Sequence, residues 1–225
     1  MKFIKNLLQN KNMAKDGLGI IVLSLILTIF LFLLFFLTRS KILSGITVLF
    51  LAITLFIAFF FRDPERKITQ EENIIFAPAD GKIVELIPFS ENSFINSSGT
   101  KVSIFLSLWD VHINRNPISG VVGYSKYTPG RFNPAYKEKA SLENEQNELG
   151  MENEKIKLVL KQIAGTIARR IVCRIKEGDK IIAGQRFGMI KFGSRIELFL
   201  PEKVKILVKL NQKVKAGKTV IGPYS

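Results

Sequence analysis

The chain has 225 residues, a formal net charge of +14, one cysteine and one histidine. This length suits one domain with a full hydrophobic core plus an additional segment, and it is short for two enzymatic domains. A single cysteine excludes an internal disulfide. One cysteine and one histidine together are too few for a conventional zinc site, so no metal is expected. The basic charge predicts an acidic partner, either an anionic lipid or a nucleic acid.

The first 61 residues predict an N-terminal tail followed by a membrane anchor. Residues 17–38 and 42–61 carry no charge, and each run is long enough for a helix that crosses a bilayer. Only residues 39–41 separate them, so the two spans form a tight hairpin with both ends on one side. Basic residues flank the outer ends more heavily than the turn, which by the positive-inside rule places residues 62–225 on the cytoplasmic side of the cell membrane. Buried core helices and a cleaved signal peptide are the weaker alternatives.

Residues 62–225 predict a mostly β soluble domain. Short apolar runs rich in β-branched residues alternate there with Gly, Pro, Asn and Asp, which is typical of strands and turns. The pattern Lys-x-x-Ala-Gly occurs at 180–184 and again at 213–217, as in the hairpins of small lipoyl-like barrels and sandwiches. The polar segment 133–154 predicts a loop or a short helix rather than a strand.

Three residues of this domain could form a nucleophilic triad. Asp80 precedes a glycine in a predicted turn, His112 ends an apolar run, and Ser194 follows Gly193 where two strands are joined or bent. A serine hydroxyl needs a neighbouring base to accept its proton, and the base works best when a carboxylate fixes its tautomer. Because a lone histidine is commonly structural, the triad by itself remains a weak indication of nucleophilic chemistry.

Several ordered motifs strengthen this interpretation, because together they resemble the short, prokaryotic (type A) branch of the phosphatidylserine decarboxylase proenzyme family. In chain order they are FFRDPER, FAPADGKI, SLWDVHINRNPISG, PGRFNPAYKEKASLENEQN, GTIARRIV and GQRFGMIKFGSRIELFLP. The resemblance implies an inactive precursor that cuts its own bond between Gly193 and Ser194, with Asp80, His112 and Ser194 as the self-cleavage triad. Cleavage would yield two chains that remain together as a heterodimer, residues 1–193 and 194–225.

The resemblance also implies a covalent pyruvoyl (pyruvate) cofactor made from Ser194. Its keto group forms a Schiff base with the amine of phosphatidylserine and accepts the electrons released as carbon dioxide leaves, which gives phosphatidylethanolamine. His112 is the expected proton donor, since the chain has no other histidine. The head group carries a phosphate and a carboxylate, so binding requires cations. The cationic side chains in or beside the family motifs are Arg115, Arg131, Lys137 and Arg195.

Two other classes of function remain open at this point. A membrane-tethered serine hydrolase would use the same triad on an external ester or peptide and would keep an intact chain. A noncatalytic lipoyl-like adaptor would explain the β repeat, but the chain lacks the usual modifiable-lysine tripeptide. Nucleic-acid binding would explain the charge but not the apolar spans, and the basic segments lack interleaved aromatic side chains. The expected partners are therefore a membrane and an anionic phospholipid, with no nucleic acid.

Overall fold

The computed structural model describes residues 13–69, 71–135, 140–166, 170–191 and 193–225. These residues divide into two compact units, Met1–Glu65 and Arg66–Ser225. The first unit is helical and the second is mostly β, so the predicted fold class, a β domain preceded by a two-helix hairpin, is confirmed.

The first unit contains helices α1 (Lys15–Thr38) and α2 (Lys41–Phe60). Both are long and apolar enough to cross a membrane, with mean hydropathy 3.2 and 2.6, and no other such helix occurs in the described part of the chain. Arg39 ends α1 in the left-handed conformation, with φ of 55°. The hydroxyls of Thr28 and Thr54 lie 3.0 Å apart, as a buried hydrogen bond between the helices. The large apolar side chains point mostly outward, which suits association with a membrane.

The second unit contains a short helix, α3 (Ala140–Glu143), and an antiparallel set of strands. Among the described residues, the strands are β1 (Ile74–Phe76), β2 (Gly81–Phe89), β3 (Gly99–Leu106), β4 (Ile113–Arg115), β5 (Gly120–Thr128), β6 (Gln146–Glu152), β7 (Lys157–Ile163), β8 (Ile171–Cys173), β9 (Lys180–Ile181), β10 (Arg186–Ile190), β11 (Ser194–Pro201), β12 (Lys213–Val214) and β13 (Val220–Pro223).

The strands of this unit form three sheets. The largest has eight strands in the order β12-β2-β3-β11-β7-β6-β5-β9, and two smaller sheets have the orders β4-β10-β8 and β1-β13. The repeated Lys-x-x-Ala-Gly pattern lies at the two ends of the large sheet, since β9 and β12 begin the two copies. A Cβ added to Gly217 would lie 3.5 Å from the Cα of Gly184, so the sheet curls until the two ends approach each other.

One row of buried side chains holds the centre of the large sheet together. Leu198 of β11 is the cross-strand partner of Val102 on β3 and of Leu160 on β7, and Leu160 is in turn the partner of Leu149 on β6. All four side chains are fully buried. Burial of each such side chain contributes about 1.5–3 kcal/mol, so β11 is strongly held between its neighbours.

The prediction of a loop or short helix for residues 133–154 is wrong in its second half. The short helix is present as α3, but residues 146–152 form β6, which is paired on both sides by β5 and β7. The strand has polar residues at most positions, yet Leu149 and Met151 are fully buried. The pairing of its main chain with two neighbours therefore outweighs the polar composition that hid the strand in the sequence.

Candidate active site

The start of β2, the end of β3 and the start of β11 lie side by side at one edge of the large sheet. Ser194, the first residue of β11, is the cross-strand partner of Leu106, the last residue of β3. Next to Leu106, Phe105 is the partner of Lys82 at the start of β2. Asp80 directly precedes β2. Strand register therefore brings Asp80 and Ser194 to the same edge of the sheet, with β3 between them.

His112 reaches this edge through a tight turn after β3. In that turn the Asp110 carboxylate accepts hydrogen bonds from the main-chain N–H of Ser107 at 2.9 Å and from its hydroxyl at 2.7 Å. β4 begins directly after His112 and pairs with β10. β11 follows β10 in the chain, and the main-chain N–H of Gly193 lies 3.3 Å from the ring of His112, so the histidine lies beside the residue that precedes Ser194. Its side chain is completely buried.

The hydrogen bonds of the His112 ring define its tautomer. Nδ1 lies 3.0 Å from the main-chain oxygen of Asp110, which can only accept a hydrogen bond, so Nδ1 carries the proton. Nε2 lies 3.3 Å from the main-chain N–H of Gly193, which can only donate. Nε2 therefore directs its lone pair at the main-chain N–H of Gly193, the residue before Ser194, and an unprotonated nitrogen is the state required of a base.

Ser194 is buried without a hydrogen-bond partner for its hydroxyl among the described residues. Leaving such a group unpaired costs about 1–3 kcal/mol, so a buried hydroxyl of this kind is a candidate for a functional role. Gly193, the residue before it, has φ of 68°, a left-handed conformation that strains any residue with a Cβ. The junction thus combines a hydroxyl that has no hydrogen bond within the described part of the chain with a backbone conformation that favours glycine.

Asp80 has a different set of contacts from the one that a triad implies. Its two carboxylate oxygens accept hydrogen bonds from the guanidinium of Arg66 at 2.6 and 2.7 Å. The main-chain N–H of Ala216 donates a third hydrogen bond to the carboxylate at 2.8 Å. The main-chain N–H of Arg115 donates to Pro78 at 2.8 Å, so the Asp80 segment runs beside β4. The ring of His112 is oriented by a main-chain carbonyl, and the role of Asp80 as its orienting carboxylate stays a prediction.

The four cations predicted to bind substrate lie in different surroundings. Arg115 is buried on β4 and donates from Nη1 to the main-chain oxygen of Gly184 at 3.0 Å. The side chain of Arg131 is 79% exposed and lies 3.6 Å from Glu143. Arg195 follows Ser194 on β11, so its side chain points to the opposite face of the sheet. Lys137 lies outside the described residues.

Arg195 belongs to a buried cluster of charges on β2, β3 and β11. Its guanidinium forms an ion pair with Glu85, its Nε lies 3.0 Å from Glu197, and it donates to the hydroxyl of Ser103 at 3.0 Å. Lys101 lies 3.1 Å from Glu85. Burial tends to raise the pKa of Glu85, but the hydrogen bonds and positive charges of Arg195 and Lys101 outweigh it and hold that pKa below its usual value. These contacts favour a structural role for Arg195.

The lowered pKa of Glu85 predicts how the protein responds to acid. A carboxyl whose pKa is lower in the folded state stabilises the fold above its unfolded pKa, near the ordinary value of 4.5, and this contribution is lost as the pH falls through the folded pKa. Glu85→Gln is therefore expected to lower the melting temperature at pH 7 and to flatten its fall below about pH 4.5. Thermal unfolding between pH 3 and 7 measures this, with Glu91→Gln at an exposed position as the control. Identical acid limbs for wild type and Glu85→Gln would contradict the prediction.

Sequence reasoning missed three residues of this site: Arg66, Asp110 and Gly165. A Cβ added to Gly165 would lie 2.1 Å from the main-chain oxygen of Gly193, so only a glycine allows this approach to the carbonyl next to Ser194. The sequence did contain a signal for each of them. Arg66 ends the motif FFRDPER, Asp110 lies within SLWDVHINRNPISG and Gly165 begins GTIARRIV. What it lacked was their contacts. The junction therefore places a buried serine hydroxyl one residue after an N–H that is hydrogen-bonded to an imidazole nitrogen, so a nucleophile and a base lie close together in the chain.

The chain belongs to the phosphatidylserine decarboxylase family, because the sequence model of that family matches residues 53–222. It is 45% identical over 166 residues to the phosphatidylserine decarboxylase proenzyme of Chlorobium phaeobacteroides (strain DSM 266), covering 74% of this chain and 78% of that one. It is 43% identical to the proenzyme of the same name from Syntrophus aciditrophicus, covering 94% and 97% of the two chains. For Geotalea uraniireducens the identity is 42% and the coverage 96% and 99%. These relatives confirm the predicted family and the carboxy-lyase class.

Proposed function

We propose that this chain cuts itself between Gly193 and Ser194 and then converts phosphatidylserine to phosphatidylethanolamine and carbon dioxide. The observation that carries the proposal is the buried hydroxyl of Ser194, which has no partner among the described residues and follows directly after the Gly193 N–H bonded to Nε2 of His112, in a chain of this family. A hydrolase acting on an external ester or peptide would need its nucleophile accessible, and the side chain of Ser194 is fully buried. The peptide that the hydroxyl can most readily attack is its own.

The first step is a transfer of the Gly193 acyl group from nitrogen to oxygen. The Ser194 hydroxyl attacks the carbonyl carbon of Gly193, and its proton passes to Nε2 of His112. As the carbon–nitrogen bond breaks, the same proton moves to the nitrogen of Ser194, which becomes an amine. The product is an ester between Gly193 and the serine oxygen. For this to occur, Nε2 must exchange its hydrogen bond with the N–H of Gly193 for one with the hydroxyl.

The second step separates the chains and makes the cofactor. Removal of the Cα proton of Ser194 expels Gly193 as a carboxylate, which leaves a dehydroalanine at the start of the small chain. Addition of water and loss of ammonia convert it to a pyruvoyl group. The fold fits this outcome, because residue 194 is the first residue of β11, and the ladder pairs from Arg195 to Pro201 keep both partners when residue 194 becomes a chain terminus.

In the mature enzyme the pyruvoyl group supplies an electron sink for the loss of carbon dioxide. The chain itself binds, orients and protonates the substrate. His112 donates a proton from Nε2 to the substrate carbon that has lost its carboxylate. Of the predicted cations, we assign the phosphate to Arg115, which is buried on β4 and whose main chain is bonded to the Asp80 segment. Arg131 and Lys137 are the other candidates, whereas the ion pairs of Arg195 with Glu85 and Glu197 favour a structural role for it.

The two chains, residues 1–193 and 194–225, remain associated as a heterodimer in this proposal. β11 belongs to the small chain, and it is paired with β3 along its whole length and with β7 over five residues. β12 and β13 of the small chain pair with β2 and β1 of the large chain. The apolar hairpin associates the large chain with the cell membrane, and the excess of basic residues at its outer ends favours the cytoplasmic side for the catalytic domain.

Intact mass spectrometry of the purified full chain tests the proposal. The wild type is expected to give, under denaturing conditions, a chain that ends at Gly193 and a chain of residues 194–225 whose first residue has the mass of a pyruvoyl group. The native preparation is expected to release carbon dioxide from phosphatidylserine in detergent micelles. An intact chain that hydrolyses esters would favour the hydrolase, and an intact chain without activity would favour the adaptor. Either result would overturn the proposed function.

A further inference from the structure

The segment after β11 presents leucines and lysines together to solvent. The main-chain N–H groups of Lys205 and Leu207 donate to Pro223 at 3.3 Å and to Ile221 at 2.8 Å, so the segment runs antiparallel to β13. Val204 and Val208 are buried by this arrangement. Because side chains alternate along an extended chain, the intervening positions 205, 207 and 209 all project outward.

A turn adds a second leucine to this face. The main-chain N–H of Gln212 donates to Lys209 at 3.1 Å, and the N–H of Lys209 donates to the side chain of Gln212 at 2.9 Å. Leu210 occupies the turn and is 55% exposed, while Leu207 is 49% exposed. We call the resulting surface the lysine–leucine face, and it comprises Lys82, Lys205, Leu207, Lys209, Leu210 and Lys213.

The lysines of this face lack compensating charges. Lys213 of β12 is the direct cross-strand partner of Lys82 on β2, and like charges in that position destabilise a sheet. None of the four lysines forms an ion pair with any residue that the structure describes. The one acidic residue in the segment, Glu202, accepts a hydrogen bond from Ser98 instead. The face is thus a positive surface whose repulsion an anionic partner would relieve.

The lysine–leucine face borders the active site. Lys213 and Val214 pair with Lys82 and Gly81 at the start of β2, and Asp80 is the next residue. The start of β2 lies at the same sheet edge as Ser194. A surface that binds to this face is therefore brought next to the residues of the proposed reaction.

We propose that the lysine–leucine face docks on the surface of an anionic bilayer. The two exposed leucines can enter the head-group region of a bilayer, and the lysines around them attract anionic lipid. An acidic protein partner is less suitable, because lysine is depleted in protein interfaces and the face has no aromatic side chain. The proposal concerns lipid contact by the β domain itself and does not depend on the decarboxylation chemistry.

Hydrogen exchange of the full chain in lipid nanodiscs tests the docking. One set of discs contains phosphatidylcholine alone, and the other contains phosphatidylcholine with about a third phosphatidylglycerol, which is anionic but has no serine carboxylate to lose. Main-chain exchange of residues 205–213 is expected to slow in the anionic discs only, and 1 M salt is expected to reverse the effect. Because phosphatidylglycerol is not a substrate, this outcome is independent of whether the proposed function is correct.

Charge reversal provides the matched comparison. The variant Lys205→Glu, Lys209→Glu, Lys213→Glu is expected to lose the protection in anionic discs, with about a fivefold weaker docking constant for each lysine removed. The control variant Lys126→Glu, Lys176→Glu, Lys180→Glu changes three exposed lysines on or next to β5 and β9 that are not part of the lysine–leucine face, and it is expected to keep the protection. In detergent, Lys213→Glu alone is expected to raise the melting temperature, because it replaces a like-charge pair with an attractive one.

Three results would overturn the docking proposal. The first is equal exchange of residues 205–213 in neutral and anionic discs. The second is protection that rises with protein concentration and not with lipid charge, which would assign the face to a second copy of the chain. The third is an equal loss of protection in the control variant, which would show a general effect of net charge. A melting temperature of the variant Lys205→Glu, Lys209→Glu, Lys213→Glu in detergent that is at least that of the wild type excludes misfolding as the cause of lost protection.

Discussion

Ser194→Ala is expected to leave the protein as one chain of 225 residues with no measurable decarboxylation. Alanine has no oxygen to attack the Gly193 carbonyl, and the pyruvoyl group cannot be formed without that oxygen. The loss is complete and not partial, because one atom serves both the cleavage and the cofactor. Intact mass spectrometry measures the chain length, and release of carbon dioxide from phosphatidylserine measures the activity.

The matched control is Ser103→Ala, which removes another fully buried serine hydroxyl one strand away on β3. That hydroxyl is bonded to Glu85 and Arg195, so its loss is expected to lower stability while leaving self-cleavage complete. A Ser194→Ala protein that still separated into two chains would refute the cleavage site. A Ser103→Ala protein that remained uncleaved would show that the Ser194 result reflects damage to the fold.

Substitutions of the neighbouring residues His112 and Asp80 are expected to slow self-cleavage to different degrees. His112→Ala should accumulate precursor, because Nε2 lies 3.3 Å from the main-chain nitrogen of Gly193 and carries the lone pair of a base. Asp80→Asn should slow self-cleavage without abolishing it. The reason is that the Asp80 carboxylate accepts hydrogen bonds from Arg66 and Ala216. The tautomer of His112 is set instead by the main-chain oxygen of Asp110, so the base keeps its lone pair in this variant.

Gly165→Ala is expected to slow self-cleavage by roughly 100-fold, which is the size of effect that a displacement of about 1 Å at a reacting group produces. The added Cβ would lie 2.1 Å from the oxygen of Gly193, far inside van der Waals contact, so the carbonyl must move. This oxygen takes up negative charge when the Ser194 hydroxyl attacks, so its position controls the barrier. Pulse-labelled synthesis followed by separation of the chains measures the rate.

The control for Gly165→Ala is Gly178→Ala. Gly178 has φ of 86° and no atom within 4 Å of an added Cβ, so alanine there strains the backbone without touching the site. It is expected to cost about 1 kcal/mol of stability and to leave the cleavage rate unchanged. If both variants cleaved at the wild-type rate, the contact between Gly165 and the Gly193 carbonyl would have no part in the reaction.

The sequence by itself determined the features that depend on local composition. Two uncharged apolar runs of membrane-spanning length are helices α1 and α2, because hydropathy over about 20 residues requires no knowledge of the rest of the chain. Short apolar runs that alternate with turn residues predicted a mostly β domain, again because this pattern depends only on local composition. The ordered motifs also identified the family, and they singled out the Gly193–Ser194 junction and His112 before any geometry was known.

Only the tertiary structure decided which atoms meet at that junction. His112 and Gly193 are 81 residues apart, and Gly165 and Gly193 belong to different segments, so their contacts depend on the register of β3, β4, β10 and β11. The strand register also directs the side chain of Arg195 away from Ser194 and towards a cluster of charged residues. Pairing with neighbouring strands likewise makes residues 146–152 a strand in spite of their polar composition. A shift of one residue in a strand reverses the face of every side chain, and sequence composition does not specify that shift.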